Sequence, residues 1–138
     1  MNMTLTEFLL DNPVDNVVEE VKLSDRFKDK EGNDLLFKIK AVPVDEFAAL
    51  QKKHNKIGKK GRVDFDNEGF NLDMAIEYTL NPDFRNADMV KKAGCLTPKQ
   101  LINKVLKAGE LTELVKQITL LSGFEEEDTE ELKEKAKN

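Results

Sequence analysis

The chain holds one cysteine, Cys95, and one histidine, His54, in 138 residues. A lone cysteine cannot close an internal disulfide, and with a single histidine it cannot furnish a Cys/His metal framework. A reducing compartment therefore suits the chain. No apolar run approaches the roughly 20 residues that cross a bilayer. The opening MNMTLTEFLLDNP has neither the basic start nor the longer apolar stretch of a secretory signal. The GKKG of residues 58–61 lacks both the spacing of a phosphate-binding loop and a strand ahead of it. These absences lead us to expect a soluble, cytoplasmic, non-membrane protein with no cofactor.

What the chain has in quantity is charge. Charged residues make up 36% against 39% hydrophobic, and the net charge is −5. The acidity is concentrated: EEEDTEELKEKAKN, residues 125–138, carries seven acids and three bases, so the preceding 124 residues are close to neutral. A near-neutral body does not favour nucleic acid, whose binding depends on a positive field. We expect one globular domain over 1–124 and a frayed or disordered acidic tail over 125–138.

The pattern along the body is mixed. Thr4 and Glu7 have capping-box spacing, and Asn12-Pro13 stops the element, so 4–11 reads as a short helix; being marginal alone, it must dock on something. Val17, Glu19, Val21 and Leu23 alternate on one strand and Leu35, Phe37, Ile39 and Ala41 on a second, with DKEGND as the turn. After Pro43 the period changes to helical, with Phe47, Leu50 and His54 on one face. IGKKGRVDFDNEG is too rich in glycine and charge for a packed element, although Val63 and Phe65 alternate and allow a third strand there. FNLDMAIEYTLNP is apolar on more than one side, as a central helix is, and ends at Asn81-Pro82.

Helix punctuation is clearest in the C-terminal half. Asn86 caps a short helix closed by Gly94. Thr97, Pro98 and Gln100 start another, with Leu101, Ile102, Val105 and Leu106 as its stripe, and Gly109 breaks it. The last helix, about 110–122, ends at Gly123, beyond which Phe124 can fold back. The expected fold class is α+β: one small antiparallel hairpin, or three strands, with five or six helices and a mostly helical C-terminal half.

Candidate chemistry is sparse. His54 lies among QKKHNK at a predicted helix end, where a solvated or capping role is expected; a general base would need an orienting carboxylate and a pocket. Cys95 has no neighbouring base and reads as a structural thiol. No catalytic, cofactor or metal residue is assigned, and the chain is not expected to be an enzyme. The run KKHNKIGKKGR carries Lys52, Lys53, Lys56, Lys59, Lys60 and Arg62, which read as a solvated connection. The alternative is a nucleic-acid-associated or regulatory protein gripping phosphate through this loop, though no aromatic lies within it for base stacking. Exposed leucines read as ordinary surface, with a partner contact as the alternative, and three apolar residues are the candidates for it. Leu120 falls about 180° from Leu111 on the wheel, Leu36 lies off the apolar face of its strand, and Phe124 stands at the helix end.

Taken in order, TLTEFLLDNP, DLLFKIKAVPVDEF, FNLDMAIEYTLNPDF and LTPKQLINKVLKAGELTELVKQITLLSGF resemble the tail assembly chaperones of long-tailed bacteriophages. The resemblance is to the branch in contractile-tailed Gram-positive phages and defective prophages. It covers about residues 4–124 and is most specific at NPDF (81–84), KAGE (107–110) and LSGF (121–124). It implies a non-catalytic protein that binds the tape-measure protein, keeps it soluble and helps bring tail-tube subunits to it. It further implies action in the bacterial host cytoplasm and absence from the mature virion. A homo-oligomer is compatible with it. In these terms Leu120, Phe124 and Leu36 are expected at a client-facing edge, with the acidic tail maintaining solubility.

Overall fold

The computed structural model describes residues 2–125. Its element order is α1 (Leu5–Asp11), β1 (Val18–Val21), β2 (Phe37–Lys40), α2 (Val44–His54), β3 (Asn55–Ile57), β4 (Val63–Phe65), α3 (Asn67–Tyr78), β5 (Thr79–Asn81), α4 (Ala87–Lys92), α5 (Pro98–Val105) and α6 (Ala108–Leu121). The fold is α+β, with six α-helices among the described residues. The expected acidic tail lies outside them except for Glu125.

β1 and β2 form the expected antiparallel hairpin, pairing Val18 with Lys40 and Val21 with Phe37. Its turn is held by the Asp29 carboxylate, which accepts the N–H groups of Glu31 and Asn33 (both 2.9 Å). Of the two alternating apolar sets, Val21, Phe37, Ile39 and Ala41 are buried, whereas Val17 and Leu35 are exposed.

Val63 and Phe65 do form a strand, β4, but in a separate ribbon; the third strand of the hairpin's sheet comes from elsewhere. The sheet order is β1-β2-β5, with Ile39 opposite Thr79. Helical apolar spacing runs on through Leu80, yet α3 stops at Tyr78. Thr79 is β-branched, Asn81 precedes Pro82 and is biased to extended backbone, and the open edge of β2 accepts a strand there. The Gly-rich stretch expected to stay unpacked forms a second ribbon, β3 with β4. GKKG thus does follow a short strand, but as a hairpin tip, with Lys60 (φ +64°) and Gly61 (φ +73°) making the reversal.

α3 is the central helix. The Asp66 side chain caps it by accepting the Gly69 N–H (3.0 Å), and Phe70, Leu72, Met74, Ala75, Ile76 and Tyr78 are all buried. It packs against α2, α5 and α6. Met74, Phe84, Leu101, Ile102, Leu114 and Ile118 join Ile39 as the most enclosed apolar side chains. Tyr78 donates its hydroxyl to Glu46 (2.8 Å), tying α3 to α2.

The C-terminal helices carry the expected caps. Thr97 accepts the Gln100 N–H (3.2 Å) with Pro98 in the first turn. α6 ends with Gly123 at φ +99°, the Gly123 N–H on Leu120 (3.1 Å) and the Phe124 N–H on Thr119 (3.3 Å). That pair of bonds needs a left-handed residue, which is why glycine stands there. One boundary is corrected. The chain breaks at Leu106 and Lys107, both extended, and Gly109 lies within the first turn of α6. The Glu110 carboxylate, accepting the Lys107 N–H at 2.7 Å, starts that helix despite the glycine.

α1 forms as expected, with Thr4 accepting the Glu7 N–H (3.1 Å). It does not dock: none of its residues is buried.

Candidate functional site

An apolar groove of about 330 Å³ opens where the Phe37 end of the sheet meets the end of α5. Phe27, Leu35, Leu36 and Phe37 form one wall and Val105 and Leu106 the other; Phe84 is part of the lining, and only Asn81 among the lining residues is polar. Leu36 stands at the lip, 42% exposed. A second hollow of about 530 Å³, sharing Asn81, Pro82 and Met89 with the groove, is polar and carries Asp83, Asp88 and Lys92.

The two walls are clasped by one ion pair. Arg26 donates from Nε and Nη2 to the two oxygens of Glu110 (2.7 Å each), and Nη2 also donates to the Val105 carbonyl (2.7 Å). Its guanidinium lies 4.5 Å from the centre of the Phe27 ring. Glu110 is 5% exposed, and its carboxyl is held down at about 2, chiefly by the Arg26 hydrogen bonds. A carboxyl lowered on folding stabilises the fold above its ordinary value near 4.5 and loses that stabilisation as pH falls towards 2. Glu110→Gln should therefore melt below the parent protein at pH 7, with the two melting temperatures converging between pH 4.5 and 2. Thermal melts across that range check this, and a constant gap down to pH 2 contradicts it.

His54 is not solvated. It is 5% exposed, with Nε2 2.7 Å from Asp73 Oδ2 and Nδ1 3.7 Å from Asp66 Oδ2. Burial pushes the Asp73 carboxyl up, but bonds from Lys53 and His54 outweigh it and leave the group below its usual range. Asp66 is lowered first by the Gly69 N–H. His54 lines neither the groove nor the polar hollow. The cluster latches the end of α2 onto the start of α3. No group of three or more His, Cys, Asp and Glu residues able to hold a metal occurs among the described residues.

The other candidate residues are scattered. Phe124 is half-buried, its ring 5.0 Å from that of Phe47, and Leu120 is half-buried on α6. Both lie near the Val42 end of the sheet, where Ser122 accepts the Val42 N–H (2.8 Å); Leu36 lies at the opposite end, in the groove. In the basic stretch, Lys53 pairs with Asp73 (2.9 Å) and Lys56 with Asp66 (3.6 Å). Lys52, Lys59, Lys60 and Arg62 are exposed. Of the groove residues, only Leu36 was marked by sequence reasoning. The groove draws on a hairpin, a turn and two helices far apart in the chain, which leaves no local signature.

An α+β body that leaves an apolar groove and an apolar helix uncovered belongs to the class of proteins that meet other chains. The chain is a member of the phage XkdN-like tail assembly chaperone family (TAC), which it matches over residues 5–137. The family expected from NPDF, KAGE and LSGF is thus the family found. The chain is 35% identical over 127 residues to the phage-like element PBSX protein XkdN of Bacillus subtilis (strain 168), covering 87% of this chain and 85% of that one. It is 32% identical over 124 residues to the uncharacterized protein YqbN of the same strain, covering 86% and 83%. The crystal structure of YqbN is similar with a TM-score of 0.66 at 26% identity, spanning 91% of this chain and 100% of that one. Among the described residues no helix is long and apolar enough to cross a membrane.

Proposed function

We propose that this tail assembly chaperone binds the tape-measure protein and keeps it soluble while tail-tube subunits gather. It acts without catalysis, in the host cytoplasm, and leaves before the particle is finished. The observation that carries this is the groove: apolar but for Asn81, open at Leu35 and Leu36, and large enough for the anchor side chains of an amphipathic helix. Family membership supplies a client in tail assembly, and a long helical client offers such anchors along its length. Leu120 and Phe124, at the other end of the sheet, are a second contact zone for so long a client.

Co-expression of the tagged chain with the tape-measure-like protein encoded nearby, followed by pull-down from the soluble fraction, tests the reading. The client should become soluble and co-purify. Leu36→Lys, at an already exposed lip, should keep the far-ultraviolet dichroism and melting temperature. It should lower the recovered client about tenfold, equivalent to ~1.4 kcal/mol. A client that stays insoluble with the parent chain overturns the reading, and undiminished recovery with Leu36→Lys removes the groove from it.

A further inference from the structure

Two strongly charged stretches of opposite sign lie far apart in the chain, and the fold brings the start of one beside the other. Residues 52–62 carry Lys52, Lys53, Lys56, Lys59, Lys60 and Arg62 and no acid; residues 125–131 carry six acids and no base. Phe124, just ahead of those acids, sets its ring 5.0 Å from that of Phe47. Phe47 lies 6.0 Å from Phe70, and Phe70 lies 5.2 Å from Phe65, the inner end of β4. The acidic stretch therefore leaves the body a few ring widths from the base of the β3–β4 ribbon.

The ribbon has an uncovered face. Ile57 pairs with Val63 across its strands, so both side chains lie on one face, the one from which Phe65 packs on the core. Phe65 is half-buried, but Ile57 is 83% and Val63 57% exposed. Asp64, the one acid of the two strands, alternates to the opposite face with Lys56. Lys59, Lys60 and Arg62 stand at the tip beyond the apolar pair and enter no ion pair among the described residues, whereas Lys53 and Lys56 are held by Asp73 and Asp66. The lysines of 89–109 are the competing seat, and the fold sets them apart. Lys107 caps the start of α6 and Phe124 follows its end, so a 14-residue helix about 21 Å long lies between them. Lys92 lines the polar hollow beside the groove.

We propose that residues 126–132 fold back along the β3–β4 ribbon of their own chain, with the acids of 126–131 against Lys59, Lys60 and Arg62 and Leu132 on the Ile57–Val63 pair. The seven residues from Glu125 to Leu132 reach about 25 Å when extended, longer than the three ring steps laid end to end. Each ion pair at such a surface is weak, but a tether this short holds the acids at a high local concentration, so the contact needs no second molecule. The stretch thereby acts as an internal polyanion that keeps other anionic chains off the ribbon. This goes beyond the client reading and does not depend on it, because the test contains no client.

Amide NMR spectra of the full chain test the seat. Glu126→Gln, Glu127→Gln, Glu130→Gln and Glu131→Gln together alter no residue of the described fold. Outside the tail, the amide shifts that respond should lie at 56–63 and keep their size on dilution. Responses confined to 125–138, centred on 89–109, or lost on dilution overturn the proposal, the last because the contact would then join two molecules. Heparin serves as the competing polyanion. The glutamine variant should bind it at least about fivefold more tightly than the parent, since the tethered competitor is gone. Adding Lys59→Glu and Arg62→Glu should abolish that gain, whereas adding Lys91→Glu and Lys92→Glu, an equal change of charge, should leave it. All four side chains are exposed, so both sets should melt as the parent does. No gain, or a gain that the two pairs of reversals change alike, overturns the shielding.

Discussion

Phe84→Ala should cost about 3–5 kcal/mol of folding stability, the largest loss expected from any single truncation considered. Phe84 is 0% exposed and belongs to the main apolar cluster. It enters that cluster just after β5 turns away at Pro82, so its backbone is anchored on one side by the sheet and on the other by the Asn86 cap of α4. Such a site collapses poorly around a smaller side chain, and the cavity term adds to the lost transfer energy. At this chain length each kcal/mol moves the melting temperature by about 3 °C, so the midpoint should fall by roughly 10–15 °C. Phe84 also belongs to the groove lining, so client recovery should drop with it. Leu36→Lys should drop client recovery without moving the midpoint, and that contrast separates loss of fold from loss of contact. A midpoint shift under about 3 °C, equivalent to ~1 kcal/mol, would show that the surroundings close over the gap.

Phe84 also illustrates what a sequence discloses. NPDF was legible as punctuation, because Pro stops a helix and the residue before it is pushed to extended backbone. That the chain between helix and Pro would join the sheet was not legible: β5 has three residues, too few to show a period, and Leu80 continues a helical one. The caps at Thr97, Asn86 and Gly123 were readable since each depends on residues within a turn of it. Of the β3–β4 ribbon only the alternation of Val63 and Phe65 in β4 was legible; β3 was hidden by composition, since the glycines and lysines around it serve the reversal and the solvated face. His54 misled in the same way. Its spacing from Phe47 and Leu50 placed it on the inner face of α2, but the surrounding lysines spoke for solvent, and the carboxylate that satisfies it arrives from Asp73 on another helix. The groove was the least legible feature, since tertiary packing alone assembles it. α1 was read correctly as a helix in need of a partner, and the need remains in the folded chain.

Gly69→Ala and Gly109→Ala should move stability in opposite directions, although both replace a glycine in the first turn of a helix. A methyl at Gly109 meets nothing within 4 Å, and the residue has ordinary helical backbone, so alanine should restrict the unfolded chain and add about 0.5 kcal/mol. A methyl at Gly69 would press on the Asp66 carboxylate and come within 2.8 Å of His54 Nδ1. Neither can move freely. Asp66 is fixed by the Gly69 N–H at 3.0 Å, and the buried His54 ring is held by Asp73 at 2.7 Å. Overfilling so constrained a contact costs about 1–3 kcal/mol, and part of that is strain in the latch between α2 and α3. Chemical denaturation of the two variants checks the signs. A double-mutant cycle with His54→Ala identifies the cause, because once the ring is gone the methyl has room on one side and should cost less than it does in the parent. An equal cost in both backgrounds would assign the whole penalty to the Asp66 cap. The latch would then depend on how the carboxylate caps α3, and the histidine would serve only to fill the space beside it.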